Sequence, residues 1–388
     1  MGAKVAAASR LLFMTACLAI VTLPAINMVK PVFEQAPLRG VLPDSPCPSA
    51  SVSALFSETL QRGFTQCFEQ RYGVRPTATR LHNSISYWVF GETHPDKLVR
   101  VGSNGILYMQ VQIDIYNRHD TPKATQMAAK IKRAQDLLLA QGKVFVLMIL
   151  PTKMRLYPDD LPKTWIRDGA SPQVPESRIT QPFVDALTAA GALFVDGRKS
   201  VASLPREAVY TKPGRHLAAP AACRVLSDAL GVARSFARGS ALPEIDCDYR
   251  LEHGVSIEEE DFDLLRLLNI WGRGPTEVAP VMQPAKERVP IADRADAVVV
   301  GTSFGWRMVF EAERTHALRH LYYYYYDSLL VDRGGSPRNV APKSKEWKEL
   351  IASSTLFLYP TPEEFLIEDG ENFFDSIIAV YGNDPGGP

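Results

Sequence analysis

Ser303 has the setting in this chain that most suggests covalent chemistry. It sits in Asp296-Ala-Val-Val-Val-Gly-Thr-Ser-Phe-Gly-Trp306, a short apolar, β-branched run broken by a turn of small residues. The run predicts a buried strand over Ala297 to Val300. A serine on such a turn, at the carboxyl end of a parallel strand, projects its hydroxyl into the crevice where α/β folds place their chemistry. The chemistry would be acyl transfer, which needs a base to take the hydroxyl proton and an acid to return it to the leaving oxygen. The same tetrapeptide also fits a plain strand-to-helix connection in which the serine caps a helix.

Three side chains are candidates for substrate contact. Trp306 follows Ser303 by about one helical turn, and its ring could line the entrance; core packing is the commoner fate of a tryptophan. Lys153, in the Pro151-Thr152-Lys153 turn, stands near a strand end, with a structural ion pair as its other reading. Arg333, in Val331-Asp-Arg-Gly-Gly-Ser336, could offer a cationic contact or lie in an ordinary surface turn. Trp165 is a weaker aromatic candidate. Oxyanion stabilisation would come from main-chain N–H groups near Ser303 and a donor on another loop.

The elements that must position these residues alternate along the chain. Helical spacing marks Leu55 to Phe90, interrupted at Arg71 to Pro76, and Thr125 to Ala140, where Met127, Ile131, Ala134 and Leu138 share one face. A hairpin-like signal spans Val99 to Tyr108. Val144 to Leu150 is a continuous apolar strand. A helix over Gln181 to Ala190 then leads into the strand Ala192 to Val195, and Leu217 to Leu230 forms another helix. Leu318 to Asp327, with five consecutive tyrosines, is a further strand whose rings alternate between two faces. Leu356 to Leu358 is a last short strand before an acidic, proline-containing tail. Helices alternating with doubly buried strands predict an α/β fold, a mostly parallel sheet flanked by helices on both faces.

Composition narrows the partners. The 388 residues hold 43 basic and 43 acidic side chains, so net charge gives no support for nucleic acid as a partner. Lys4 and Arg10 precede an apolar run from Leu11 to Val29, which fits an export signal or membrane anchor over residues 1–30. The missing small-x-small site favours an anchor. A Pro/Ser-rich linker is expected over 31–54, then the main domain over 55–388. Cys47, Cys67, Cys223 and Cys247 are an even set in an oxidising compartment, with three pairings open. No Cys/His spacing suggests a metal site, and no cofactor is implied.

In order along the chain, four blocks resemble the alginate O-acetylation proteins of the AlgJ/AlgX type, a branch of the SGNH-hydrolase-like superfamily. They are Phe68-Glu-Gln-Arg-Tyr-Gly-Val-Arg-Pro76 with Leu81 to Gly91; Val101-Gly-Ser-Asn-Gly-Ile-Leu-Tyr108; Val146 to Pro158 with Leu161-Pro162; and Val300-Gly-Thr-Ser-Phe304. Asn104 and Ile106 depart from the second signature. The resemblance implies an SGNH-like fold and a nucleophile at Ser303. It also places the catalytic base at His216, in Tyr210-Thr-Lys-Pro-Gly-Arg-His-Leu-Ala218 ahead of an alanine-rich helix. In that family the histidine belongs to an Asp-x-His-Trp motif; here Gly214 and Leu217 take the flanking places. A Ser303–His216 dyad is one outcome, with Asp196 as a spatial substitute for the missing acid. The resemblance implies O-acetylation of an exopolysaccharide in the periplasm, anchorage to the inner membrane, and a membrane O-acyltransferase as acetyl donor. The rival expectations are an inactive glycan-binding or scaffold subunit, and an acetyl esterase.

Overall fold

Val144-Phe-Val-Leu-Met-Ile-Leu150 has no polar side chain to turn towards water, and it forms a strand, β1, in which every residue is buried. The computed structural model describes all residues except 1, 33, 41–46, 49–55, 57–58, 95–97, 118–122, 167–179, 237–240, 255–258, 273–277, 287–290, 333–335, 367–370 and 383–388. The chain divides into two units: Met1–Val99 with Leu265–Arg273, and Arg100–Leu264 with Gly274–Pro388.

The second unit is built on a seven-stranded sheet. Besides β1 it contains β2 (Phe194–Asp196), β3 (Asp296–Gly301), β4 (His320–Tyr325), β5 (Leu329–Asp332), β6 (Arg338–Asn339) and β7 (Leu356–Pro362). The order across the sheet is β6-β5-β4-β3-β7-β1-β2. From β4 to β2 all neighbours are parallel; β5 and β6 turn back antiparallel at one edge. On one face Val146, Met148 and Val299 pack beneath the helices Ala219–Arg234 and Gly305–Arg314. On the other, Phe145, Leu147, Val298 and Val300 pack beneath Lys123–Ala140, Thr180–Ala190, Lys345–Ser353 and Glu371–Tyr381. This is the mostly parallel α/β sheet, covered on both faces, that the alternating pattern implies.

Two expectations change. The last strand is longer than expected: β7 lies in the sheet interior and runs on past Leu358 through Pro360 to Pro362. Its pairing with β3 stops at Leu358 opposite Val299, while pairing with β1 continues to Pro362 opposite Leu150. The prolines, which cannot donate to a ladder, therefore fall beyond the end of the pairing with β3. Beyond β7 the chain is not a simple tail either: Phe373, Phe374 and Ile377 of its final helix are buried against the sheet. The tyrosine run alternates as expected, Tyr323 and Tyr325 packing on the first face and Tyr322 and Tyr324 on the second.

The first unit holds the helix Gly2–Val29, of which Ser9–Val29 is long and apolar enough to cross a membrane. The turn between Thr59–Arg71 and Arg75–Ile85 packs on its end. A Cβ on Gly73 would lie 2.7 Å from the Met28 nitrogen, and Asn27 Nδ2 donates to Gly73 O at 2.5 Å. The start of the expected linker is tied down there too, Val32 N donating to Asn27 Oδ1 and Gln35 Nε2 to Gly73 O. Most of the rest of the linker lies outside the described residues. Of the three possible cysteine pairings, the chain uses Cys47–Cys67 and Cys223–Cys247.

Candidate active site

The turn that carries Ser303 hangs from a wholly buried part of the sheet. Ala297, Val298, Val299 and Val300 are each 0% exposed, and Ser303 follows two residues after β3 ends. Three contacts fix the turn. Gly305 N donates to Thr302 O at 2.9 Å and Trp306 N to Ser303 O at 3.3 Å, opening the helix Gly305–Arg314. The buried Tyr323 hydroxyl donates to the same Thr302 carbonyl. Burial pushes the Tyr323 phenol far above its ordinary pKa, so it remains a donor. A Cβ on Gly305 would lie 2.5 Å from that hydroxyl, so only glycine lets the helix begin here.

His216 reaches Ser303 from a different loop. Ala218 N donates to Val209 O at 2.9 Å, closing the loop, and Pro220 sits in the first turn of the following helix, where a missing N–H costs nothing. His216 Nε2 lies 3.1 Å from Ser303 Oγ, and the imidazole meets the Phe304 ring edge-on at 4.6 Å. The other ring nitrogen, Nδ1, lies 3.0 Å from Asp263 Oδ2. Ionised Asp263 holds the imidazole proton on Nδ1, which leaves the Nε2 lone pair to accept the serine hydroxyl. Burial pushes the Asp263 carboxyl up, but the His216 hydrogen bond and charge, the Arg215 N–H at 2.7 Å and the Lys153 ammonium together hold it below its ordinary value.

Asp263 was not legible as an orienting acid, and it replaces the expected bare dyad with a Ser–His–Asp arrangement. Asp196 does not take that place. It caps the helix Gly197–Val201 and pairs with Arg198 at 2.8 Å. Asp263 is held by its neighbours: Arg307, from the helix after Ser303, pairs with Asp261 at 2.6 Å, and both side chains are buried. Thr211 Oγ1 donates to Asp261 O, and Leu264 N donates to Pro213 O at 3.1 Å. Gly214 makes this approach possible. A Cβ there would lie 2.6 Å from Thr211 Oγ1 and 2.7 Å from Asp261 O. Position 214, where the resemblance leads one to expect an aspartate, therefore has no room for a side chain while residues 261–263 keep this course.

The other expected contacts separate. Lys153 is 3% exposed, and its ammonium donates to Leu107 O at 3.3 Å, Lys212 O at 2.9 Å and Gly214 O. It faces the loop that carries His216, not solvent, so it supports that loop and is not presented to substrate. Trp306 is partly buried, edge-on to Tyr323 at 4.7 Å, stacked on Phe310 at 5.8 Å and tilted against Tyr325 at 5.9 Å. Trp165 packs edge-on against Tyr108 in a separate small cluster with Ile106 and Met154. Arg333 lies outside the described residues. Among the described residues no group of three or more His, Cys, Asp or Glu side chains is placed to hold a metal ion.

A family model described as the SGNH hydrolase-like domain of the acetyltransferase AlgX matches residues 99–316. Solved structures similar to the chain include the O-acetyltransferase domain of Pseudomonas putida AlgJ, 17% identical over 73% of this chain and 99% of that one, with a TM-score of 0.47. Pseudomonas aeruginosa AlgX is 11% identical over 70% of this chain and 67% of its own, with a TM-score of 0.46. Bacillus cereus PatB1 is 10% identical over 71% and 98%, with a TM-score of 0.44. No curated protein matches by sequence. The chain belongs to the AlgX acetyltransferase family, and its second unit has the SGNH hydrolase-like α/β fold.

Proposed function

We propose that this member of the AlgX acetyltransferase family acetylates hydroxyls of an exopolysaccharide through an acetyl-serine at Ser303. The observation that carries the proposal is the position of His216, 3.1 Å from Ser303 Oγ and 3.0 Å from Asp263 Oδ2. In the first half-reaction Ser303 Oγ attacks the acetyl carbonyl carbon while His216 Nε2 takes the hydroxyl proton. The bond from the acetyl carbon to the donor oxygen breaks, and the imidazolium returns the proton to that oxygen. In the second half a sugar hydroxyl attacks the acetyl-serine, His216 takes its proton, and Ser303 leaves with that proton. Asp263 stabilises the imidazolium in both halves without becoming protonated. Main-chain N–H groups of the turn around Ser303, other than the Gly305 and Trp306 groups that close it, suit the developing oxyanion, helped by the positive end of the helix dipole.

Outside the cytoplasm the donor would be a membrane O-acyltransferase that passes acetyl across the bilayer, with Ser9–Val29 anchoring the chain to the inner membrane from the periplasmic side. The inactive-scaffold reading rested on the glycine at 214, and Asp263 supplies the carboxylate that this glycine lacks. The esterase reading differs only in the acceptor, water in place of a sugar hydroxyl. The test is an activated acetyl ester with the parent chain and Ser303→Ala, followed by mass spectrometry. An acetyl adduct on Ser303 that is absent from the variant is expected. No adduct and no turnover in either protein would sink the proposal, and free acetate unaffected by added glycan would make the protein an esterase.

A further inference from the structure

Four of the five consecutive tyrosines alternate between the two packed faces of the sheet, and Tyr326 does not follow them. It lies one residue past β4, where the chain turns towards β5, and is 57% exposed. Its φ is 48° and that of Asp327 is 50°, in the left-handed region that glycine or asparagine adopts at least cost. A bulky aromatic at such a turn is strained, and strain of this kind gathers at ligand-contacting positions.

Register puts the residue beside the nucleophile turn. In the β3–β4 ladder Gly301 pairs with Tyr325, and Tyr326 N donates to Gly301 O at 3.0 Å. The Tyr326 ring lies 4.4 Å from that of Tyr325, which in turn lies 5.9 Å from Trp306, and Trp306 N bonds Ser303 O. A continuous row of rings thus runs from the first turn of the nucleophile helix outward to an exposed tyrosine. The electron-rich face of an aromatic ring attracts the weakly positive C–H face of a pyranose, and a flat exposed ring buries that face without needing a closed pocket.

We propose that Tyr326, backed by Tyr325 and Trp306, is the stacking surface for a pyranose ring of the acceptor glycan next to Ser303. The identity of the ligand as a glycan rests on the acetyl-transfer reading above; the place of the surface rests on strand register and ring contacts. The hydroxyl of Tyr326 is dispensable in this role and the ring is not. The experiment uses the full chain in detergent, as parent, Tyr326→Gly and Tyr326→Phe, titrated calorimetrically with cellohexaose and with a mannuronate hexasaccharide. Tyr326→Gly is expected to melt no lower than the parent, because glycine relieves the turn. Its Kd for whichever hexasaccharide the parent binds should rise about tenfold, equivalent to about 1.4 kcal/mol, while Tyr326→Phe keeps the parent's Kd. A Tyr326→Gly chain that binds as the parent does, or a parent that binds neither hexasaccharide, overturns the proposal. Binding that depends on the Tyr326 ring in a parent that forms no acetyl-serine would keep the stacking surface and remove the acyl-transfer reading.

Discussion

Two arms of the second unit meet at His216, and they are built in opposite ways. The serine arm is the end of a central strand whose four preceding residues are wholly buried, so the sheet itself sets where Ser303 emerges. The acid arm has no strand behind it. Asp263 opens a five-residue helix held by one buried ion pair, a threonine hydroxyl and a glycine with no room for a side chain. The position of Ser303 is set by the sheet, whereas that of Asp263 depends on a few clamps in loops and should shift when one of them is altered.

The largest effect that separates the arms should come from Asp263→Asn. It leaves the nucleophile in place but loses the acceptor that fixes the imidazole tautomer, so kcat should fall about 10⁴-fold with KM nearly unchanged, as in a serine protease altered at the equivalent acid. Steady-state kinetics with an activated ester would reveal a tolerant dyad if the loss were under tenfold. Next is Arg307→Met, which strands the buried Asp261 carboxylate; chemical denaturation should show a loss of about 3–5 kcal/mol, with partial recovery when Asp261→Asn is added. Gly214→Ala should cost roughly 10²-fold in kcat through displacement of the acid arm. Acylation of Ser303 at the parent's rate in that variant would show that the arm is softer than its contacts imply.

The smallest effect contrasts two carboxyls. Asp263 is held below its ordinary pKa, so its contribution to stability is complete above the usual carboxylate range and fades as pH falls through its folded value. Asp327 is the reverse: burial pushes it from 3.8 up to about 6, so the folded state prefers the acid and loses stability as pH rises across that interval. Asp327→Asn should therefore raise the melting temperature at pH 8, and the difference should shrink towards zero near pH 4. Equal gains at both values would show that the benefit comes from asparagine's tolerance of the turn at φ 50° and not from charge.

What the sequence disclosed follows the same division. Ala297 to Val300 and Val144 to Leu150 are legible because burial on both faces demands unbroken apolar runs. The serine turn is legible because it interrupts one of them. Asp263 is hidden in Glu258-Glu-Glu-Asp-Phe-Asp263, a charge run that reads as a solvated face, because its role depends on three partners distant in sequence. The one local sign is that the acids run directly into Leu264-Leu265, both buried. The extension of β7 past Leu358 is not legible, because prolines normally end an interior strand and nothing local announces that pairing with β3 stops there while pairing with β1 continues. The sequence expects Lys153 near a strand end and Trp306 one helical turn past Ser303, but which way each side chain turns is decided by neighbours that its own segment does not contain.

The glycine at 214 and the path of residues 261–263 occupy one volume between them. Restoring an aspartate at 214 would not add a second acid to the histidine; it would evict the one already there. While residues 261–263 keep this course, a carboxylate at 214 and the one at 263 cannot both be accommodated beside His216. A glycine at 214 is therefore poor grounds for judging this chain inert, because the carboxylate that faces His216 comes from another segment.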